Sequence, residues 1–109
     1  MTSPMPWIKI YTEILDDYKF GLLPDHLKWR FVELCCIAGE CDAEGYLVNG
    51  DEPMGIDDLA WRLRRQPDEL LADMETLEQR EFLAQEDDAW LVVNFSKRQG
   101  RRQSEKRAM

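Results

Sequence analysis

The chain has 109 residues, of which 44% are hydrophobic, enough for one compact domain with one real core and too few for two. Its net charge of −8 hides a division: residues 96–109 hold six Lys/Arg against one Glu, so the excess acid sits on residues 1–95. No apolar run approaches the roughly 20 residues of a membrane span, and residues 1–6 lack the basic start and apolar stretch of a signal peptide, so the expected setting is cytoplasmic and free of membrane.

The opening segment, Trp7-Ile8-Lys9-Ile10-Tyr11-Thr12-Glu13-Ile14-Leu15, is apolar and partly β-branched. Its spacing fits either a helical stripe or an extended run. Residues 1–23 are therefore read as an N-terminal arm or short helix.

A helix is expected from Pro24, with Pro in its first turn and Asp25 at the positive end of its dipole. Leu27, Phe31, Leu34, Cys35 and Ala38 form its apolar stripe, and Trp29, Val32 and Cys36 form a second stripe beside it. His26, Arg30 and Glu33 are left as a polar edge, so this helix should be central and largely buried. Gly39 is the expected stop.

Glu44-Gly45 reads as a turn, Tyr46-Leu47-Val48 as a short strand, and residues 49–53 as loop. Ile56, Leu59, Ala60 and Leu63 mark a second helix. Pro67 opens a third, with Asp68 and Glu69 in its first turn and Leu70, Leu71, Met74 and Leu77 inward. Two helices joined by the short Arg64-Arg65-Gln66 turn make a helix-turn-helix candidate.

Residues 82–85 and 90–95 are apolar runs around a polar four-residue loop, Glu86-Asp87-Asp88-Ala89, which reads as a hairpin. The order helix, strand, helix, helix, hairpin predicts a mainly α fold with a small antiparallel sheet, a winged helix-turn-helix over residues 24–95. The return strand should pair with residues 46–48. Residues 96–109 lack the apolar content to order themselves and read as a basic tail or the start of a linker.

These residues resemble the N-terminal domain of phage replication proteins, related to the DnaD-like replisome organisers. The resemblance rests on Trp7-Ile8-Lys9-Ile10-Tyr11, Ile14-Leu15-Asp16-Asp17-Tyr18-Lys19, the Trp29 helix running into Cys35-Cys36-Ile37-Ala38, Leu59-Ala60-Trp61-Arg62-Leu63, and Trp90 to Gln99. It covers about residues 7–99 and implies a winged helix that serves DNA binding or self-association, followed by a linker and a second domain.

In the usual docking of such a fold the third helix enters the major groove. Here residues 67–79 offer Asp68, Glu69, Asp73, Glu75 and Glu78 and no cation, and the wing adds Glu86, Asp87 and Asp88. Like-charge contacts at a few ångströms cost on the order of 1 kcal/mol each even in water, so groove insertion is not expected. Most of these acids are read as solvated faces, with a basic protein partner or the chain's own tail as the functional alternative.

The candidate nucleic-acid residues are instead Arg62, Arg64 and Arg65 at the helix-turn-helix corner, and Lys97, Arg98, Arg101, Arg102, Lys106 and Arg107 in the tail. The corner arginines either neutralise phosphates or complement the helix dipole. The tail either holds DNA without reading sequence or acts as a solubilising linker. Trp7, Ile8, Ile10, Tyr11 and Trp61 are the candidate self-association residues. The four tryptophans are otherwise expected in the core, with Trp61 the exception because it lies off its helix's apolar stripe.

An enzyme is not expected. His26 has no matched nucleophile, the odd number of closely spaced cysteines Cys35, Cys36 and Cys41 suits neither a zinc site nor a disulfide framework, and no glycine-rich phosphate loop is present. Cys35 and Cys36 read as small core residues, and no cofactor or small-molecule substrate is implied. The expected role is a replication-type module that assembles on DNA as a homo-oligomer, with a further replication protein as a possible partner. The alternative is a protein-interaction or dimerisation domain with no DNA contact.

Overall fold

The computed structural model describes residues 5–100. Residues 5–11 carry no regular secondary structure, and a 3-10 turn at Thr12–Asp16 leads into the one-turn helix α1 (Tyr18–Gly21). The Asp17 carboxylate caps α1 by accepting from the Phe20 N–H at 2.9 Å. The long helix α2 (Asp25–Cys41) follows, then a two-residue hairpin of β1 (Val48–Asn49) and β2 (Glu52–Pro53). Helices α3 (Ile56–Leu63) and α4 (Pro67–Gln79), the hairpin of β3 (Leu83–Glu86) and β4 (Ala89–Val92), and the short α5 (Phe95–Gln99) complete the chain. The fold is mainly helical with small antiparallel strand pairs, an arrangement compatible with a winged helix.

Residues 49–53, expected as loop, form a hairpin instead. Val48 faces Pro53 and Asn49 faces Glu52 around a turn that uses Gly50 at φ 68°. The hairpin at β3–β4 is tighter than its sequence suggests. Glu86 pairs with Ala89, so Asp87 and Asp88 alone make the turn, both at positive φ. Two successive left-handed residues match the right-handed twist of the flanking strands.

The strand expected at residues 46–48 reaches β4 by one bridge, Tyr46 to Leu91, rather than as a third full strand. The Leu47 N–H donates to the Trp90 carbonyl at 2.9 Å and the Val92 N–H to the Gly45 carbonyl at 2.8 Å. Gly45 is required at this crossing. Its φ is 100°, and a Cβ there would stand 2.9 Å from the Val92 carbonyl oxygen.

The core gathers Leu27, Leu34 and Ile37 from α2, Leu47, Leu59 from α3, Leu70, Met74 and Leu77 from α4, and Leu83, Trp90, Val92 and Phe95 beyond. At its edge, the rings of Phe20, Phe31 and Phe82 meet with centroids 5.2 to 6.5 Å apart, pinning α1 onto α2 and the hairpin.

Helix α2 sits rotated from its expected orientation. Its inward row is Leu27, Arg30, Leu34, Ile37 and Ala38, while Phe31 and Cys35 are only half-buried. Trp29 and Cys36, expected in the core, are exposed. Arg30, expected at the polar edge, is 6% exposed because its guanidinium meets Asp73 of α4 at 3.0 Å and also bonds Glu33. Leu71, expected inward, lies outside, since Leu70, Met74 and Leu77 already fill the α4 face.

Helix α2 also runs past Gly39 to Cys41 and ends on Asp42 in the left-handed region. Gly39 serves a different purpose. The arm crosses it, Met5 donates its N–H to the Gly39 carbonyl at 3.1 Å, and a Cβ at Gly39 would lie 2.8 Å from Ile8 Cγ2.

Candidate assembly and nucleic-acid surfaces

The arm is held at its two ends by opposite parts of the chain. Near Met5 and Ile8 it rests on α2 at Gly39. Farther on, the buried side chain of Gln99 in α5 bonds both backbone groups of Lys9, and the Tyr11 hydroxyl donates to the Arg98 carbonyl. Arg98 also faces Asp17 at 3.9 Å. Residues 96–99, expected as the start of an unstructured tail, are thus one helical turn clasping the arm. The cause is Phe95: its burial anchors the turn, and the peptide groups of the arm need partners.

Between arm and body lies a mostly apolar cleft formed by Ile8, Ile10, Ile14, Phe31, Cys35 and Val93. Burial pushes the Cys35 thiol up to about 12, with neighbouring Cys36 adding to the shift and Arg98 opposing it. The exposed Cys36 thiol is also raised, by desolvation and then by Glu40 and Glu33, with Arg62 opposing.

Of the candidate self-association residues, Trp7, Ile10, Tyr11 and Trp61 are exposed. Ile8 is half-buried and packs against the core instead, because it fills the space that Gly39 leaves open. Three exposed apolar residues farther along the arm were not singled out from sequence: Leu15, 88% exposed, Tyr18, 78% exposed, and Leu22. One signal was present for Leu15: read as an extended run, the segment points Ile14 and Leu15 to opposite faces.

Three of the four tryptophans thus lie outside, and Trp90 alone is buried. The expectation that they fill the core fails for Trp7 and Trp29, because leucines and Met74 already occupy it, while Trp61 is the expected exception.

Among the candidate nucleic-acid residues, Arg62, Arg64 and Arg65 come together with Trp61 and Ala60 along one open surface at the end of α3. Arg62 pairs with Glu40 of α2, and Arg65 lies 3.7 Å from Glu33. Arg64 makes no ion pair among the described residues and closes α3 at φ 59°. Helix α4 presents Asp68, Glu69 and Glu75 to solvent and no cation. Lys97 is exposed on α5. Arg101, Arg102, Lys106 and Arg107 lie outside the described residues.

Among the described residues, no group of three or more His, Cys, Asp or Glu could hold a metal ion. No helix among them is long and apolar enough to cross a membrane. Comparison with curated proteins and with solved structures gives no match. The profile of the N-terminal phage replisome organiser family matches residues 7–109, nearly the whole chain, and the chain belongs to that family.

Proposed function

We propose that this domain is a non-catalytic assembly module of a phage replication complex. It self-associates through its N-terminal arm and holds DNA without reading sequence through its basic C-terminal residues. The observation that carries this reading is the row of large apolar side chains on the arm and α1, namely Trp7, Ile10, Leu15, Tyr18 and Leu22, all exposed within 16 residues. Fully burying a side chain of this size contributes about 1.5–3 kcal/mol, and several of them left exposed on one short segment are what an interaction surface offers. The clasp by Gln99 and the seat at Gly39 hold the arm in shape before any partner arrives, which lowers the ordering cost of association.

The DNA half of the reading is supported by the six cations of residues 96–109 and by the acidity of α4, which opposes groove reading. A second reading, an interaction domain with no DNA contact, is favoured by Arg62 and Arg65 already facing Glu40 and Glu33.

Sedimentation velocity on the full chain and on the Leu15→Asp/Tyr18→Asp variant tests the assembly half. The expected result is an oligomer that falls to monomer on substitution, and a parent chain that is already monomeric would refute it. Duplex binding followed against salt tests the DNA half, with Arg101, Arg102, Lys106 and Arg107 all changed to Gln in one variant. Binding should fall sharply in that variant. No binding by the parent at low salt would leave the interaction-only reading standing.

A further inference from the structure

Trp61 is 82% exposed, more than any other tryptophan of the chain. It sits in the last turn of α3, where Leu59 and Ala60 face the core and leave the indole pointing away from it. Three arginines follow within four positions. The corner has a defined shape: the Arg64 and Arg65 N–H groups donate to the Trp61 and Ala60 carbonyls at 3.3 and 2.9 Å. Ala60, Trp61 and the three arginines line one open concave surface. Arg64 is unpaired among the described residues. The Arg62 side chain, 51% exposed, holds the equally open Glu40 in a surface ion pair of the kind that contributes little and exchanges readily for another anion, while Arg65, 38% exposed, lies 3.7 Å from the largely buried Glu33 that Arg30 already pairs.

An indole in water beside guanidinium groups suits two kinds of anion. A carboxylate of an acidic peptide uses the cations alone. A nucleotide uses both features, with its phosphate on a guanidinium and its base on the indole face. Bases in a duplex are stacked on one another, so a single strand is what offers a free face. Acid elsewhere on residues 1–95 repels a polyanion, which confines the contact to a few nucleotides at this corner.

We infer that the α3–α4 corner is a contact site for single-stranded DNA, with one base stacked on Trp61 and the flanking phosphates held by Arg62, Arg64 and Arg65. The site is built from other residues than the basic C-terminal ones and does not depend on their holding DNA.

The test titrates an oligothymidylate of about 20 nucleotides into the full chain carrying Arg101→Gln, Arg102→Gln, Lys106→Gln and Arg107→Gln. Tryptophan fluorescence should be quenched on binding. In that background Trp61→Ala should weaken binding about tenfold, as the loss of one stacked base does, with Trp61→Phe retaining most of the affinity. Arg64→Gln should lower the slope of log affinity against log salt by about 0.7. Both side chains are exposed, so unchanged melting curves confirm that the variants fold.

Equal affinities for the parent, Trp61→Ala and Arg64→Gln would overturn the site. So would a polyglutamate peptide that binds this surface as tightly as the oligonucleotide and is indifferent to Trp61→Ala, since the surface would then belong to an acidic protein. If DNA binding vanishes altogether in the Gln background but persists with the native C-terminal residues, the corner site is wrong while the tail reading survives. Trp61-dependent binding that is unaffected by the four Gln substitutions gives the reverse.

Discussion

The side-chain amide of Gln99 pairs with Lys9 as a neighbouring strand would: the Lys9 N–H donates to Gln99 Oε1 at 2.7 Å and Gln99 Nε2 donates to the Lys9 carbonyl at 3.1 Å. Gln99 is buried, so neither bond is readily replaced by water. Gln99→Ala should destabilise the chain by about 1–3 kcal/mol, the range for a buried polar group left without its partner. Gln99→Glu should cost more, since a carboxylate cannot donate to the Lys9 carbonyl and faces its oxygen. Urea denaturation gives the stabilities, and amide exchange at Lys9 reports the arm directly. An unchanged exchange rate at Lys9 in Gln99→Ala would show that the clasp does not hold the arm.

At Gly39 two effects oppose each other. Alanine within a helix is about 1 kcal/mol better than glycine, but its Cβ would meet Ile8 Cγ2 at 2.8 Å. Ile8 is β-branched and cannot easily rotate away. Gly39→Ala should therefore leave α2 intact while the arm lifts, with amide protection lost at residues 5–11. Adding Ile8→Ala should recover the helix gain, so the double variant melts higher than Ile8→Ala alone. Additive effects of the two substitutions would mean that Ile8 and Gly39 do not touch in solution.

The Arg30 guanidinium lies between Asp73 and Glu33, with Arg65 and His26 on the outer side of the same acids. Removing one partner leaves a buried charge underpaired. Asp73→Ala should cost on the order of 3 kcal/mol. The triple variant Arg30→Met/Asp73→Leu/Glu33→Leu, which removes the cation with both of its acids, should cost far less, because apolar groups of similar volume often substitute for buried ions without loss. Thermal melts of the two variants decide it. Equal losses in both would show that packing rather than charge is at stake.

The cysteines should differ in reactivity. The thiolate is the nucleophile, and the Cys35 thiol is held neutral up to about 12 by burial. With iodoacetamide at mildly alkaline pH, exposed Cys36 should be labelled while Cys35 stays unmodified until the chain unfolds. The same shift has a stability consequence. An unfolded Cys35 ionises near its ordinary value of 9.0 while the folded one does not, so the contribution is whole below that value and is lost as pH rises towards 12. Cys35→Ala should flatten the alkaline fall in melting temperature. Labelling of Cys35 in the folded chain at the rate of Cys36 would contradict the burial.

Much of the architecture was legible from local chemistry. Pro67 with two acids behind it starts α4, the 56-59-60-63 spacing gives α3, and apolar runs around Asp87-Asp88 give a hairpin. The resemblance to phage replisome organisers was readable too, because it rests on residue types at spaced positions. The acidity of α4, which turns the candidate nucleic-acid residues away from the usual groove helix, needs no coordinates at all.

Other features depend on what lies across the fold. Which side of α2 faces inward was not decided by its own pattern. Two apolar stripes compete there, and the outcome turns on Asp73, 43 positions after Arg30, which makes burial of a charge possible. Gly39 looks like a helix stop until the arm is seen crossing it, and Gln99 looks like tail until Lys9 is found beneath it, 90 positions away. Hydrophobic periodicity reports how much apolar surface an element carries, and only the packed partners determine which part of it is covered. For that reason Leu15 was readable as an apolar residue but its exposure came from the tertiary structure, whereas Trp61 already stood off the stripe of its helix and the tertiary structure added the arginines gathered around it.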